Sequence, residues 1–353
     1  MKYLLTIDYE LYGNGSGNVF KHMIEPTRQL LDYFDTRDVK VTIFVEMVEI
    51  LRIKEEWELG NTMGYETNPF ESIARQLQDA YRRGHDIQLH IHPQWVDARF
   101  DNGRWLVDDN NWILGRFDCV RDITLETLLA LCKKELEAIV SDADPNYQCI
   151  ALRAGGYNVQ PSTRLVNAMK AVGLKLDSSV VPGAVQHGKQ ATYDFTGCDR
   201  KLNYWYADTS LETPSQTTSG VLEIPLASMP MRRFCKFFSW ARIKAFLNNS
   251  ASAMTSFDDK THTRSGNSIV HKIKYLLDVE YVTWDFCLMS KMMHQHFIKA
   301  THGKDIVVLV GHPKGFSTID TVSSLISLAG ADDTYVTVNQ LYQMIMDGHG
   351  TGN

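Results

Sequence analysis

The chain lacks the features that assign a protein to a class at a glance. No two of its six cysteines form a C-x-x-C pair; Cys119, Cys132, Cys149, Cys198, Cys235 and Cys287 are scattered along 353 residues. That spacing excludes a small disulfide scaffold and fits reduced, structural thiols of a cytosolic protein. No apolar run approaches the length of a membrane span. The opening MKYLLTI is too short for a signal-peptide core and is interrupted by Asp8 and Glu10, so the expected location is cytoplasmic. A basic excess is also missing. Lys and Arg number 36 against 42 Asp and Glu, a net charge of −6, which excludes a broad nucleic-acid surface. There is no internal repeat and no low-complexity tract. With 44% hydrophobic and 22% charged residues, the composition is that of a globular protein with a sizeable core. The expectation is a single catalytic domain over residues 1–353, with insertions around 183–220 and 229–302.

What is present is an alternation of short apolar runs with longer amphipathic ones. Residues 2–7 and the β-branched run 39–45 (VKVTIFV) read as strands, as do 85–92, 148–153, 174–177, 221–226 and 305–310. Residues 26–34, 69–83, 124–140, 161–172 and 318–328 read as helices, with Pro26 at a start and Gly84 and Gly173 as stops. Such alternation implies right-handed βαβ units and a parallel sheet. Asp8, His90, Arg153, Asp177 and His312 all fall at strand ends, where parallel α/β folds gather their chemistry. Bringing five such ends together predicts an α/β fold closed towards a barrel.

Two of these ends carry paired groups. In Thr6-Ile7-Asp8-Tyr9-Glu10, residues 8 and 10 share a face of an extended segment, and two adjacent carboxylates call for a cation or an arginine between them. Alone, the pair reads as a solvated loop after a strand. In Leu89-His90-Ile91-His92-Pro93, the two imidazoles also share a face, a good arrangement for two nitrogen ligands to zinc. His85 falls on the opposite pleat and reads as structural. Adding one carboxylate gives a His₂-carboxylate set with open positions, the usual composition of a hydrolytic metal site. Arg153 stands where it can keep a buried carboxylate ionised, and Gly155-Gly156 lets the backbone turn sharply. His312 follows the apolar run IVVLVG, at the mouth of a buried strand, where it can act as a general acid or be a satisfied structural histidine.

These five segments, in this order from Asp8 to His312, resemble the five motifs of the polysaccharide deacetylases, the NodB-homology or carbohydrate esterase family 4. The resemblance spans nearly the whole chain and implies a distorted (β/α)₇ barrel. It implies that Asp8 is the base that activates water, Glu10 a metal-binding acid, and His90 and His92 the histidine ligands. Arg153 then resembles the residue that orients the base, and Tyr157 the one whose backbone N–H helps hold an oxyanion. His312 resembles the general acid, and Asp177 the aspartate that tunes it. The implied cofactor is a divalent metal, zinc first, with cobalt, nickel or manganese as alternatives.

Three positions depart from the family pattern. Asp8-Tyr9-Glu10 replaces adjacent aspartates, and Gln94 stands where the spacing H-x-x-x-H would put a histidine. The proline that usually precedes the tyrosine is absent. The chain therefore reads as a divergent branch, and the expected activity is removal of an N-acetyl or other acyl group from a saccharide or lipid-linked precursor. Hydrolysis of a non-sugar amide or imide, and a non-catalytic barrel, are the alternatives. Trp95, with Trp105 and Trp112 nearby, is the expected sugar-stacking residue. Residues 229–247 (MPMRRFCKFFSWARIKAFL) interleave basic and aromatic side chains without an acid. This segment reads either as a peripheral membrane contact or as a helix whose aromatics cover the barrel.

Overall fold

The structure is a computed structural model that describes residues 1–248 and 269–348. The central part of the expected 229–302 insertion lies outside the described residues.

A nine-stranded sheet organises the chain. Its members are β1 (Lys2–Tyr9), β2 (Thr42–Glu46), β3 (Asp86–Ile91), β4 (Ala151–Ala154), β5 (Leu176–Asp177), β6 (Trp205–Ala207) and β7 (Val221–Glu223). After a separate antiparallel pair, β8 (Ser228–Arg232) with β9 (Val279–Thr283), come β10 (Ile306–Gly311) and β11 (Thr334–Tyr335). The order across the sheet is β6-β7-β5-β4-β3-β2-β1-β10, with β11 also paired to β1. Strands β1 to β5, β7 and β10 are mutually parallel, and only β6 runs antiparallel. The result is a curled parallel sheet, a half-barrel, in which β1 to β5 follow one another in chain order, β7 and then β6 continue beyond β5, and β10 lies on the other side of β1. It fits the α/β expectation.

The open side, between β7 and β10, is spanned by short irregular segments. Leu226 bridges Val308, and Asp285 bridges Val310. Backbone bonds interlock them: Ala227 N–H to Val308 O, Trp284 N–H to Ala227 O, and Val310 N–H to Trp284 O, each between 2.9 and 3.1 Å. Because β10 and its neighbours β1, β2 and β3 are buried on both faces, they read as continuous apolar runs rather than alternating ones.

Local chemistry sets the helix starts. In α1 (Glu25–Asp35), Pro26 occupies the first turn, where its missing N–H costs nothing. Helix α2 (Met47–Glu58) begins directly at the end of β2, because Glu46 caps it by accepting from Val48 N and Glu49 N. Sequence reading missed this helix. For α3 (Pro69–Arg82), Asn68 caps the start, Ile73, Leu77 and Ala80 form the buried stripe, and Gly84 takes φ +88° just beyond the end. Helices α4 (Leu125–Ser141) and α5 (Thr163–Ala171) cover the next crossovers. Among the described residues no helix is long and apolar enough to cross a membrane.

The 183–220 region holds a small hairpin, Val185–His187 with Thr192–Asp194, and strand β6. Around β9 lie α6 (Trp240–Asn248), α7 (Ile269–Leu277) and α8 (Lys291–Ala300). In the basic-aromatic segment Phe237, Phe238 and Trp240 are exposed, so its aromatics do not all pack on the barrel.

Candidate metal centre and proton-transfer site

The strand register assembles the site. Glu46, His90 and Arg153 are direct partners across β2, β3 and β4, and Ile7 of β1 lies beside Gly311 of β10. The C-terminal ends of these strands therefore carry Asp8, Glu10, His90, His92, Arg153 and His312 to one place, all of them buried.

Arg153 is fully buried and fully used. It donates to Asp8 Oδ1 at 2.6 Å, Thr6 Oγ1 at 2.7 Å, Ser178 O at 2.8 Å and Ser178 Oγ at 3.1 Å, and its guanidinium lies 4.2 Å from the centre of the Phe44 ring. A buried charge is tolerable only with such complete pairing. Burial opposes the charge on Asp8, but Arg153, then His90 and His312, overcome it and hold its carboxyl below the usual range. Asp8 is thus an ionised base in a dry site.

Glu10 sits between cations and imidazoles. Its Oε2 lies 2.8 Å from His92 Nε2 and 3.7 Å from His90 Nε2, while Lys314 Nζ donates to Oε1 at 2.8 Å. Burial again opposes ionisation, and Lys314 and the two histidines outweigh it, leaving the carboxyl well below its ordinary range. Lys314 also donates to Leu11 O at 3.1 Å, and its own carbonyl accepts from Tyr12 at 2.8 Å, which ties the loop after β10 to the loop after β1.

The metal expectation is testable on the donor atoms themselves. His90 Nδ1 bonds the Arg153 carbonyl at 2.8 Å; a carbonyl can only accept, so the proton is on Nδ1 and the lone pair on Nε2. That Nε2 is buried and has no hydrogen-bond partner among the described residues. Ligand atoms of Glu10, His90 and His92 all lie within 4.8 Å of one another, as do those of Asp8, Glu10 and His312. His92 Nδ1 lies 3.0 Å from the Gln94 amide nitrogen, whereas Gln94 Oε1 is buried without a partner. Turning the Gln94 amide over satisfies Oε1 with a proton on His92 Nδ1 and frees Nε2 to ligate, at the cost of a long 3.4 Å bond to Gly13 O. The residues fit a divalent cation held by Glu10, His90 and His92.

Gly155 explains part of the local sequence. A Cβ there would come within 2.3 Å of the His92 ring, so the glycine seats the imidazole rather than a ligand. Gly156 and Tyr157 both have positive φ, +58° and +63°, which places Tyr157 tightly beside the site, buried and in the fields of Asp8, Arg153 and Asp285.

Two assignments are corrected. The partner of His312 is Asp285, not Asp177: His312 Nδ1 lies 2.8 Å from Asp285 Oδ2, and His312 Nε2 faces Asp8 Oδ2 at 3.6 Å. Burial disfavours the imidazolium, but the bond to Asp285 and the charges of Asp285 and Asp8 raise its pKa overall. Asp177 instead accepts from Ser179 N at 2.9 Å and Ser179 Oγ at 3.1 Å and faces Glu223. Trp95 is likewise no sugar platform. It is 1% exposed, with its ring set edge-on to Trp105 at 5.3 Å between centroids, and Trp105 and Trp112 are also buried.

Sequence reading missed four further buried groups. Asp285 follows the β-rich stretch Val279–Thr283, a signal lost inside a region read as inserted helices. Lys314 lies two residues after His312, in the same turn. Glu46 and Glu49 lie behind Glu10; Glu49 accepts from Leu11 N with both oxygens, at 3.2 and 3.1 Å. Burial first, then repulsion from Glu10, raises Glu49 to about 8, and burial, Glu49 and Glu10 raise Glu46 well above its ordinary value.

No protein-family model matches the chain, and no curated protein matches it by sequence. Among solved structures it is similar to one from Mycobacterium smegmatis provisionally assigned as a polysaccharide deacetylase: 11% identity, 99% of this chain and 92% of that one covered, TM-score 0.46. Puue allantoinase gives 12% identity, the same coverages of 99% and 92%, and a TM-score of 0.47. The α-amylase AmyC of Thermotoga maritima gives 10% identity, coverages of 97% and 74%, and a TM-score of 0.43. These three scores lie below 0.5, and the chemistry of this chain rests on its own residues.

Proposed function

We propose that the chain is a metal-dependent hydrolase of acyl C–N bonds, acting on an N-acylated saccharide. The observation that carries this reading is geometric: Asp8, bonded to Arg153, faces His312, bonded to Asp285, at 3.6 Å beside three convergent metal-ligand atoms. Glu10, His90 and His92 would hold the cation. When bound there, a divalent cation supplies Lewis acidity towards an acyl oxygen and acidifies water.

The rest belongs to the side chains. Arg153 keeps Asp8 charged and fixed, so Asp8 accepts the proton that water loses as it attacks the carbonyl carbon. His312, held through Nδ1 by Asp285, presents Nε2 as the donor to the departing nitrogen. After the C–N bond breaks, the proton sits on Asp8 and His312 is neutral. Their 3.6 Å separation lets the proton return to His312 for the next turnover. Asp8 works as base because arginine lowers its pKa, and His312 as acid because an aspartate raises its own, the separation of roles expected of an acid–base pair.

The test is to load the purified chain with zinc or cobalt and offer a panel of acylated sugars beside non-sugar amides and imides. Acetate release from sugars supports the reading; release only from the other amides moves the substrate class. Absence of metal uptake by equilibrium dialysis, or uptake without any hydrolysis, defeats it.

A further inference from the structure

Two loops beside the site carry cations that this chemistry leaves unused. The turn Leu114–Arg116 and the tip of the hairpin Val185–His187/Thr192–Asp194 border a cavity of about 240 Å³ lined by Asn110, Asn111, Ile113, Arg116, Gly188 and Lys189. Pockets that enclose a whole small ligand run to roughly 300–1,000 Å³, so this one is sized for part of a substrate. Neither Arg116 nor Lys189 is paired with a carboxylate among the described residues. Of the acids near them, Asp118 pairs with Arg164 at 2.9 Å and Asp108 accepts from Asn110 N and the Asn111 amide, while Asp109 pairs with neither cation among the described residues.

The loops are tied to the reaction centre through one residue. Asn158, 1% exposed, directly follows Tyr157. Its side chain donates to Gln190 O at 2.8 Å and to Trp112 O at 3.2 Å and accepts from Thr192 N at 3.1 Å, while its carbonyl accepts from Gly115 N at 3.1 Å. Gly115 is required there, since a Cβ would come within 2.1 Å of Val159 O. Trp112, whose carbonyl Asn158 holds, packs where a Cβ on Gly13 would meet it at 3.0 Å and the Gln94 amide at 3.3 Å, and Gln94 in turn contacts His92. Both cationic loops are therefore built in fixed register with the His92 side of the site.

We infer that this cavity is an anion subsite, in which Arg116 and Lys189, with the amides of Asn110 and Asn111, take a phosphate or carboxylate group carried by the substrate. The inference rests on the hydrolase reading and narrows its substrate class to anionic acylated sugars. A guanidinium and an ammonium supply complementary recognition of either oxyanion. On a chain of net charge −6, such a local positive site is also what admits an anion at all.

The test is calorimetric titration with N-acetylglucosamine, its 1-phosphate and N-acetylmuramic acid, plus inorganic pyrophosphate as a sugar-free probe. Wild type is compared with the double variant Arg116→Gln/Lys189→Gln, both exposed positions, with thermal melting as the check on folding. The expected result is that one anionic sugar binds at least tenfold more tightly than the neutral one. That gain disappears in the double variant, survives Arg116→Lys/Lys189→Arg, and shrinks with added salt. Whichever sugar shows it distinguishes phosphate from carboxylate. Equal affinity for all three sugars, a gain that persists in the double variant, or no binding of any probe overturns the inference. Binding needs no turnover, so an anionic preference in a chain that hydrolyses nothing defeats the hydrolase reading and leaves the subsite standing. Hydrolysis indifferent to substrate charge defeats the subsite alone.

Discussion

Two buried acid pairs stand at strand ends of one sheet and behave in opposite ways. At the end of β1, Asp8 and Glu10 face Arg153, Lys314, His90 and His92, and both are pushed to low pKa. At the ends of β5 and β7, Asp177 and Glu223 face each other with no lysine partner among the described residues, and burial drives Asp177 up to about 6 and Glu223 well above its ordinary value. Burial opposes ionisation in both places. What differs is how far facing cations offset it: Asp8 and Glu10 meet Arg153, Lys314 and imidazoles, whereas at Asp177 the charge of Arg153 does not outweigh burial. Asp177 does not tune His312 because its carboxyl is taken up by Ser179 and faces Glu223, while Asp285 holds the imidazole.

The largest expected effect falls on the charged pair. Asp8→Asn should lower kcat by about 10²–10⁴, the usual contribution of a general base, while metal content by atomic absorption stays at the wild-type level. His90→Ala should lose the metal. A near-normal rate in Asp8→Asn breaks the distinction between the pairs.

Next comes the choice between the two aspartates. Asp285→Asn should reduce kcat about 10–100-fold, because the imidazolium loses its stabilising charge. His312 has its pKa raised chiefly by the Asp285 bond, so removing that charge lets the pKa fall. The basic limb of the pH–rate profile, where the acid loses its proton, should move to lower pH. Asp177→Asn should leave that limb in place. A shift in the Asp177 variant with none in the Asp285 variant restores the sequence-based assignment.

The proton-sharing pair makes a smaller, thermodynamic prediction. Both carboxyls have raised folded-state pKa values, so the fold favours their protonated forms. Their contribution to stability is fully present below the unfolded values near about 4 and is lost as pH rises through the folded ones, about 6 for Asp177 and well above the ordinary carboxyl value for Glu223. Glu223→Gln keeps the shape without the titration. It should be nearly neutral in denaturant melts at pH 5 and more stable than wild type by about 1–2 kcal/mol at pH 8. No pH dependence in the difference would show that the pair is not sharing a proton.

The smallest effect concerns the surface. Phe237, Phe238 and Trp240 are 63%, 57% and 63% exposed, beside the exposed Arg232, and as a proposal they meet an anionic lipid layer. Flotation with phosphatidylglycerol vesicles should recover more protein than with phosphatidylcholine alone, with the excess lost at high salt. Identical recovery from both removes the proposal.

Much of this was legible in the residues. The parallel strands announce themselves because β1, β2, β3 and β10 are apolar on both faces, and the i, i+2 spacing of Asp8–Glu10 and His90–His92 carries straight into shared direction. Asp285 was not legible: its strand pairs antiparallel outside the main alternation, and one aspartate after VEYVT looks like any other. Nor was the fate of Trp95, since packing and sugar stacking favour the same large ring. Glu46 and Glu49 were hidden because a carboxylate that caps a helix and one that bonds a neighbouring loop leave no periodic trace. Lys314 carries no sequence signal of its own, and only the three-dimensional nearness of Glu10 gives it meaning.

The segment around Trp284, Asp285 and Phe286 laces the last open edge of the sheet to β10, and the same three residues bring in the partner of His312. Edge closure and support of the acid thus depend on the same short segment. Loosening that seam should therefore weaken proton donation by His312 before it disturbs Glu10, His90 and His92, which are carried by β1 and β3.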